Sequence, residues 1–216
     1  MVRGVLSILW KEIRLEYHSR GSIAAMLLFL GVLLLLFGLA FPTGVNTETL
    51  PGVLWISILF SGILGLGRSF RQEIPEALLL APVPRSAVFW GKFAANLLFL
   101  IVVEVVAIPL VLAFYNLPGP ADWLKTVAAL FLGTVGMVAV GTLVLALTAG
   151  TAGGDMLLPL LLFPLLVPDL AGGIQATVAG FQGDAVGFWV WAKVLLAYDV
   201  IFLTVPGFLL EFILEG

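Results

Sequence analysis

Three ionisable side chains stand inside long apolar stretches of this sequence. Glu104 lies about halfway along the run 93–115, while Lys193 and Asp199 lie in the run 186–210. Each charged group costs roughly 2.5–3.5 kcal/mol at the centre of a bilayer, so its retention needs a physical reason. One hypothesis is that Glu104 and Asp199, at similar depths, line a path or gate with Lys193 as counter-charge. The interpretation we favour is an interhelical hydrogen bond or ion pair that fixes packing. Lys193, about 9 Å from Asp199 along the helix and on another face, is expected nearer the outer surface.

Sequence motifs that would define an enzyme are absent. The only Gly-Lys pair, Gly91-Lys92, has Ser86 where a phosphate-binding loop requires glycine. Neither H-E-x-x-H nor G-x-S-x-G occurs, there is no cysteine, and His18 is the single histidine. We therefore expect no catalytic residue, no metal site and no cofactor bound by this chain. An intramembrane enzyme built from scattered carboxylates is the less favoured alternative.

The composition indicates that the bilayer is the solvent for most of the chain. Of 216 residues, 62% are hydrophobic and 11% are charged, whereas soluble domains carry roughly 25% charged residues. The apolar runs are long enough for six membrane-spanning helices. The sequence therefore predicts an all-α, polytopic membrane protein that forms a single domain over 1–216. The predicted spans are 22–41, 50–67, 93–115, 126–149, a fifth from about 156, and 186–210. The fifth is interrupted by Pro159, Pro164, Pro168 and Asp169.

Polar and aromatic residues near the ends of the spans carry further expectations. Asp155 is expected to cap the fifth span at its cytoplasmic end, since aspartate suits a helix N-terminus. Asp169 is expected near the outer interface. An outer interfacial belt is predicted for Trp55, Trp123, Trp189 and Trp191.

The distribution of lysine and arginine predicts the topology. Eight of the ten basic residues fall on the N-terminal side of a six-span arrangement, and only Lys125 and Lys193 fall on or near the other side. By the positive-inside rule, both termini and the loop between the second and third spans are cytoplasmic. The eight are Arg3, Lys11, Arg14, Arg20, Arg68, Arg71, Arg85 and Lys92.

Residues 1–21 form an amphipathic pattern with helical period. One face carries Val2, Leu6, Leu9, Trp10, Ile13 and Tyr17, and another carries Arg3, Ser7, Lys11, Arg14 and His18. This pattern predicts a helix lying in the membrane interface. The alternative is a cytoplasmic helix packed on a partner.

The segment 68–90 interrupts the apolar sequence with charge and proline. Its centre, "SFRQEIPEALLLAPV", predicts a short amphipathic helix bounded by proline. Such a rigid element with charged and apolar faces suits docking of another protein. A solvated loop whose basic residues only set topology is an equal alternative on the residues alone.

The run "LPGVLWISILFSGILGLGRSFRQEIPEALLLAPVPRSAVFWGK" (50–92) and the ending "AYDVIFLTVPGFLLEFILE" resemble the CcmB family. Its members are membrane subunits of the ABC-type haem exporter of cytochrome c maturation. The likeness covers nearly the whole chain and is most specific over 50–92. It implies an ABC-2-like permease of six transmembrane helices in the bacterial inner membrane, with haem as a transported or handled ligand.

The resemblance also implies partners and contact residues. The 68–90 segment would be a coupling helix on a CcmA-like ATP-binding subunit, and 1–21 would be an interfacial elbow helix. The contact candidates are Arg68, Arg71, Glu73, Glu76, Leu78, Leu79 and Leu80. Two copies would pair, beside a haem-handling CcmC-like protein and a small CcmD-like subunit, with no nucleic acid involved.

Three other functions remain open on the sequence. The chain is alternatively a six-span ABC permease for a drug, lipid or polysaccharide. It is alternatively a secondary transporter driven by protons through Glu104 and Asp199. The third alternative is a structural scaffold of a membrane complex.

Overall fold

The computed structural model describes residues 2–19, 21–41, 44–71, 85–148 and 154–214, with side chains described at all of these except 19, 68–71, 85, 154–159 and 207–214. Within those ranges the regular structure is helical, which confirms the all-α class. The helices are α1 (Val2–Ser19), α2 (Gly21–Ala40), α3 (Leu50–Arg71), α4 (Arg85–Tyr115), α5 (Trp123–Thr148), α6 (Gly154–Gln182) and α7 (Ala185–Leu214). Six of them, α2 to α7, are long and apolar enough to cross a membrane, as the sequence predicts.

The fifth helix, α5, is the centre of the bundle. Buried residues make up 78% of its apolar window, against 17% for α2. It packs along α6 and also contacts α3, α4 and α7, while α2 packs on α3 and α6 on α7. Gly133, Gly136 and Gly141 of α5 are all buried, and small residues let membrane helices approach closely. The most buried helix is therefore the one on which most of the others meet.

Short polar connections cap the helices at one end of the bundle, here called the short-loop end. It carries residues 44–49, 116–122 and 183–184. The Asn46 side chain accepts hydrogen bonds from the Glu48 and Thr49 amides at the start of α3. Asp184 does the same for Val186 and Gly187 at the start of α7. These caps satisfy amide groups that have no partner within the first helical turn.

Asp122 caps α5 at the same end. Its carboxylate accepts hydrogen bonds from the Lys125 amide and from the Lys125 ammonium group. The ammonium hydrogen bond is the main reason why the pKa of Asp122 lies below its ordinary value. The cap is therefore ionised at neutral pH, as the positive end of a helix favours.

The sixth helix, α6, corrects the expected form of the fifth span. The sequence predicts a stretch interrupted by prolines, but α6 is helical from Gly154 to Gln182, through Pro164 and Pro168. Proline removes a backbone donor without always ending a helix, and neighbouring helices in a membrane supply replacement contacts. Between these prolines, the Tyr198 hydroxyl of α7 donates to the Leu165 carbonyl at 2.7 Å and joins the two helices. The side chain of Asp155, expected to cap this span, lies outside the described residues.

Candidate functional site

The predicted docking segment is only partly described. Arg68 and Arg71 fall in the last turns of α3, and α4 begins at Arg85. The side chains of these arginines are outside the described set, and so are residues 72–84, which include Glu73, Glu76 and Leu78–Leu80. The docking assignment therefore stays a prediction.

The N-terminal helix α1 presents three different faces. One, with Val5, Ile8, Glu12 and Glu16, packs on the rest of the protein. A second exposes apolar side chains, among them Trp10 and Tyr17, and a third is polar and basic. A helix with adjacent exposed apolar and basic faces suits the membrane interface, as predicted. The exposed apolar residues are Val2, Leu6, Trp10 and Tyr17, and the third face carries Arg3, Ser7, Lys11, Arg14 and His18.

A buried ion pair joins α1 to the first turns of α4. The Lys92 ammonium group lies 3.1 Å from Oε1 of Glu12, and both side chains are buried. Close to it, an added Cβ at Gly91 would lie 2.5 Å from the Cβ of Ile8. The contact therefore depends on a charge pair and on the absence of a side chain at residue 91.

Lys11 stands at the edge of this ion pair. Its ammonium group lies 3.9 Å from the same Glu12 oxygen, with a partly exposed side chain. Partial burial lowers the pKa of Lys11, an effect that Glu12 opposes and Lys92 reinforces. Glu12 therefore has two basic neighbours, of which Lys92 is the nearer and the more deeply buried.

A second carboxylate of α1 caps the first membrane span. Oε1 of Glu16 accepts hydrogen bonds from the amides of Ser22 and Ile23 at 2.9 and 2.8 Å. These amides belong to the first turn of α2 and would otherwise lack a partner. Glu12 and Glu16 thus attach α1 to two different membrane helices.

Deeper in the bundle, four buried polar side chains share one layer. They belong to four different helices, and each lies about three to four helical turns from the end of its helix at the short-loop end. At 1.5 Å per residue, that depth is about 16–21 Å. The four are Glu104 of α4, Thr134 of α5, Asp169 of α6 and Asp199 of α7.

Within this layer, Glu104 has a partner on α5. The Thr134 hydroxyl donates a hydrogen bond to Oε1 of Glu104. Asp199 instead faces Asp169 beside Gly136 of α5. Thr134 and Gly136 are two residues apart, so they point about 200° apart around α5. The layer therefore has two separate halves, with Glu104 in one and Asp199 in the other. Glu104 forms an interhelical hydrogen bond with Thr134, which is the kind of contact that the sequence analysis favours.

The position of Asp169 is a second correction. The sequence places it near the outer interface, but its side chain is 0% exposed and lies in the middle of α6. The helix continues through the prolines that were expected to interrupt it, so the residue stays inside the membrane span. A sequence pattern could not show this, because Asp169 faces residues that lie 30 or more positions away.

Lys193 is not the counter-charge of this layer. Its side chain is exposed on α7, six residues from Asp199 and closer to the short-loop end. Among the described residues it forms no ion pair. The orientation agrees with the predicted position nearer the surface, where a lysine side chain extends toward the membrane boundary.

Trp55 also departs from the sequence expectation. It was predicted in an interfacial belt, but it is 0% exposed, and its indole N–H donates to the Thr177 hydroxyl at 2.9 Å. The indole lies against Gly133 and Gly173, which have no side chain to displace it. Trp123 and Trp189 are at least half exposed, as a belt requires.

The side chains that sequence reasoning missed are Glu12, Glu16 and Thr134, and Gly136 was noted only as one of several small residues of α5 that allow close helix contact. The spacing of the two glutamates could have indicated their role. They are four residues apart and therefore share a face of α1, which is neither the polar and basic face nor the face that carries Trp10. Nothing local distinguishes Thr134 or Gly136 from the other small residues of α5. Across the part of the chain whose placement is described, no group of three or more His, Cys, Asp or Glu side chains is arranged to hold a metal ion.

Six apolar helices around a polar layer, with an amphipathic helix attached by buried carboxylates, define a multi-pass membrane protein. The sequence gives the family. Residues 3–215 match the family model described as "CcmB protein", and the chain belongs to the CcmB family.

Curated relatives agree with this assignment. The chain is 32% identical over 187 residues to "Heme exporter protein B" of Rhodobacter capsulatus, covering 83% of this chain and 85% of that protein. It is 32% identical over 184 residues to the protein of the same name from Paracoccus denitrificans, covering 82% and 84%. For the Pseudomonas aeruginosa protein the identity is 30% over 199 residues, covering 88% and 89%. The predicted family is therefore confirmed.

Proposed function

We propose that this chain is the membrane subunit of an ABC transporter for cytochrome c biogenesis in the bacterial inner membrane. It couples ATP hydrolysis by a separate subunit to export of haem, or to release of a haem-loaded chaperone. The observation that carries this proposal is the family match over residues 3–215, supported by relatives named heme exporter protein B. The sequence has no phosphate-binding loop, which is consistent with ATP hydrolysis in a partner subunit.

The attachment of α1 gives this coupling a mechanical basis. The proposed docking segment, 68–90, ends within the first turns of α4, the helix that carries Gly91 and Lys92. Since Lys92 is paired with Glu12 and Gly91 lies against Ile8, a displacement of the start of α4 moves α1 as well. Glu16 then transmits that movement to the start of α2. ATP binding in the partner would thus act on three helices through one docked segment.

In this proposal haem is a substrate that other subunits ligate. The single histidine, His18, lies on the exposed polar face of α1, and no membrane-spanning helix of the chain contains histidine or cysteine. A CcmC-like membrane protein would hold the haem, beside a small CcmD-like subunit and a second copy of this chain. Both termini would be cytoplasmic, together with the docking segment.

The test is purification of the chain together with its candidate ATP-binding subunit. We expect the ATPase to co-purify with the wild type and to be lost from the double variant Glu73→Arg/Glu76→Arg, whose charges oppose docking. Glu48→Arg is the matched control, because Glu48 is exposed in the 46–49 connection at the short-loop end. Retention of the ATPase by the double variant would reject the docking segment. Absence of the ATPase from the wild type would reject the proposed function.

A second candidate is a secondary transporter driven by protons. The buried carboxyls Glu104, Asp169 and Asp199 favour it, since intramembrane acids are common in proton pathways. It requires transport by the chain without an ATPase and loss of that transport in Glu104→Gln. Transport that depends on the ATPase would reject this candidate.

An ABC permease for another cargo would instead bind an ATPase without haem-handling partners.

A further inference from the structure

Asp169 of α6 and Asp199 of α7 converge on a gap left by Gly136 of α5. A Cβ placed on Gly136 would lie 2.5 Å from Oδ1 of Asp169 and 2.8 Å from Oδ1 of Asp199. The side chain of Asp169 is 0% exposed and that of Asp199 is 5% exposed. Both oxygens of Asp169 and Oδ1 of Asp199 lack a hydrogen-bond partner among the described residues. One unpartnered carboxyl oxygen from each aspartate therefore lies beside Gly136, and the second oxygen of Asp169 is buried without a partner as well.

The described part of each surrounding helix supplies no positive charge to this gap. On α5 the cation Lys125 is paired with Asp122 at the short-loop end, and on α7 Lys193 is exposed on another face. Tyr198, next to Asp199, donates its hydroxyl to Leu165. The remaining acidic group of the layer is Glu104, held by Thr134 on the other side of α5. The buried polar groups of α3 are uncharged: the Trp55 indole donates to Thr177, and Ser57 and Ser61 carry only hydroxyls.

Two ionised carboxylates in this position would be strongly unfavourable. Removing a single carboxylate from water without a partner is costly, and a second like charge in an apolar interior adds repulsion that little solvent screens. Ca²⁺ or Mg²⁺ would need six or more oxygen ligands, whereas two aspartates supply at most four. Zn²⁺ is usually held by three or four His, Cys or carboxylate side chains, and no such group of three occurs among the described residues. A single proton, bonded to one carboxyl group and shared with the other, gives both side chains a hydrogen bond without any further group.

We propose that Asp169 and Asp199 form a proton-binding site that joins α6 to α7. One carboxyl binds the proton as an O–H bond and donates it in a hydrogen bond to the carboxylate of the other. Release of the proton to water breaks that O–H bond and leaves two carboxylates that repel each other. The pair thus makes the contact between α6 and α7 depend on pH. This inference does not rest on the cargo or the ATPase of the proposed function.

The first test is infrared spectroscopy on the full chain in lipid nanodiscs, together with any subunits that co-purify. Labelling aspartate with ¹³C separates its carboxylic acid band from that of Glu104. We expect a labelled band equal to about one protonated aspartate per chain at pH 7, and its loss in Asp169→Asn/Asp199→Asn. Asp184→Asn is the matched control and keeps the band, since Asp184 is exposed. A wild type without the band, or a double variant that keeps it, would overturn the proposal.

The second test is the pH dependence of thermal unfolding. A proton bound in the folded state and released on unfolding makes the wild-type Tm fall as pH rises from about 6 to about 9. In Asp169→Asn the amide hydrogens replace that proton, so we expect the fall in Tm to shrink to about half or less. Asp184→Asn should show the wild-type fall. An equal fall in wild type and Asp169→Asn would mean that the two aspartates do not share a proton.

Discussion

Gly136 of α5 lies against side chains from both α6 and α7 in the polar layer. A Cβ there would lie 2.5 Å from a carboxyl oxygen of Asp169, 2.8 Å from one of Asp199 and 3.0 Å from the ring of Tyr198. These neighbours are buried and belong to two different helices. A side chain at residue 136 would therefore require two helices to shift.

Substitution of this glycine tests the packing directly. We expect Gly136→Ala to lower stability by about 1–3 kcal/mol, the usual cost of overpacking a core, measured by thermal or denaturant unfolding in detergent. Gly31→Ala is the control, because a Cβ at Gly31 of α2 meets no atom within 4 Å and alanine is the better helix former. Equal effects of the two substitutions would show that the contact at Gly136 is not tight.

At the scale of elements, α1 is attached to α4 through a buried charge pair. Such a pair is costly to break from one side, because the remaining charge stays buried without its partner. The same pair is much less costly to replace as a whole. This asymmetry distinguishes a structural ion pair from two charges that are neighbours by chance.

We therefore expect Lys92→Met to destabilise the protein by about 3–5 kcal/mol and the double variant Glu12→Leu/Lys92→Met to recover much of that loss. Unfolding in detergent measures both, as a double-mutant cycle. Lys11→Met is the matched control, since its side chain is 42% exposed and exposed ion pairs contribute at most about 1 kcal/mol. Additive effects of the single variants would contradict a direct interaction between Glu12 and Lys92.

At the scale of the whole molecule, the charge distribution predicts the orientation in the membrane. The chain contains no cysteine, so single cysteines can be introduced into the natural sequence without background. Glu48 and Gln182 are exposed at the short-loop end, and His18 is exposed at the other end, on α1.

We expect a membrane-impermeant maleimide added to intact spheroplasts to label Glu48→Cys and Gln182→Cys. His18→Cys should react only after the membrane is permeabilised, because eight of the ten basic residues lie on that side and predict that it is cytoplasmic. Labelling of His18→Cys alone in intact spheroplasts would show the opposite orientation. The docking segment would then lie outside the cytoplasm, where no ATP-binding subunit could contact it.

The sequence by itself determined the membrane class, six spans, the amphipathic α1 and the family. These properties depend on length, composition and local periodicity. In a bilayer such local features nearly suffice to predict the helices, because an apolar run of about 20 residues has few alternatives to a helix. Only the tertiary structure decided that Glu104 contacts Thr134, that Asp199 faces Asp169, and that Trp55 is buried against Gly133 and Gly173. Which side chains contact each other depends on which faces of separate helices meet. Packing between residues that are distant in the sequence decides how those helices are arranged.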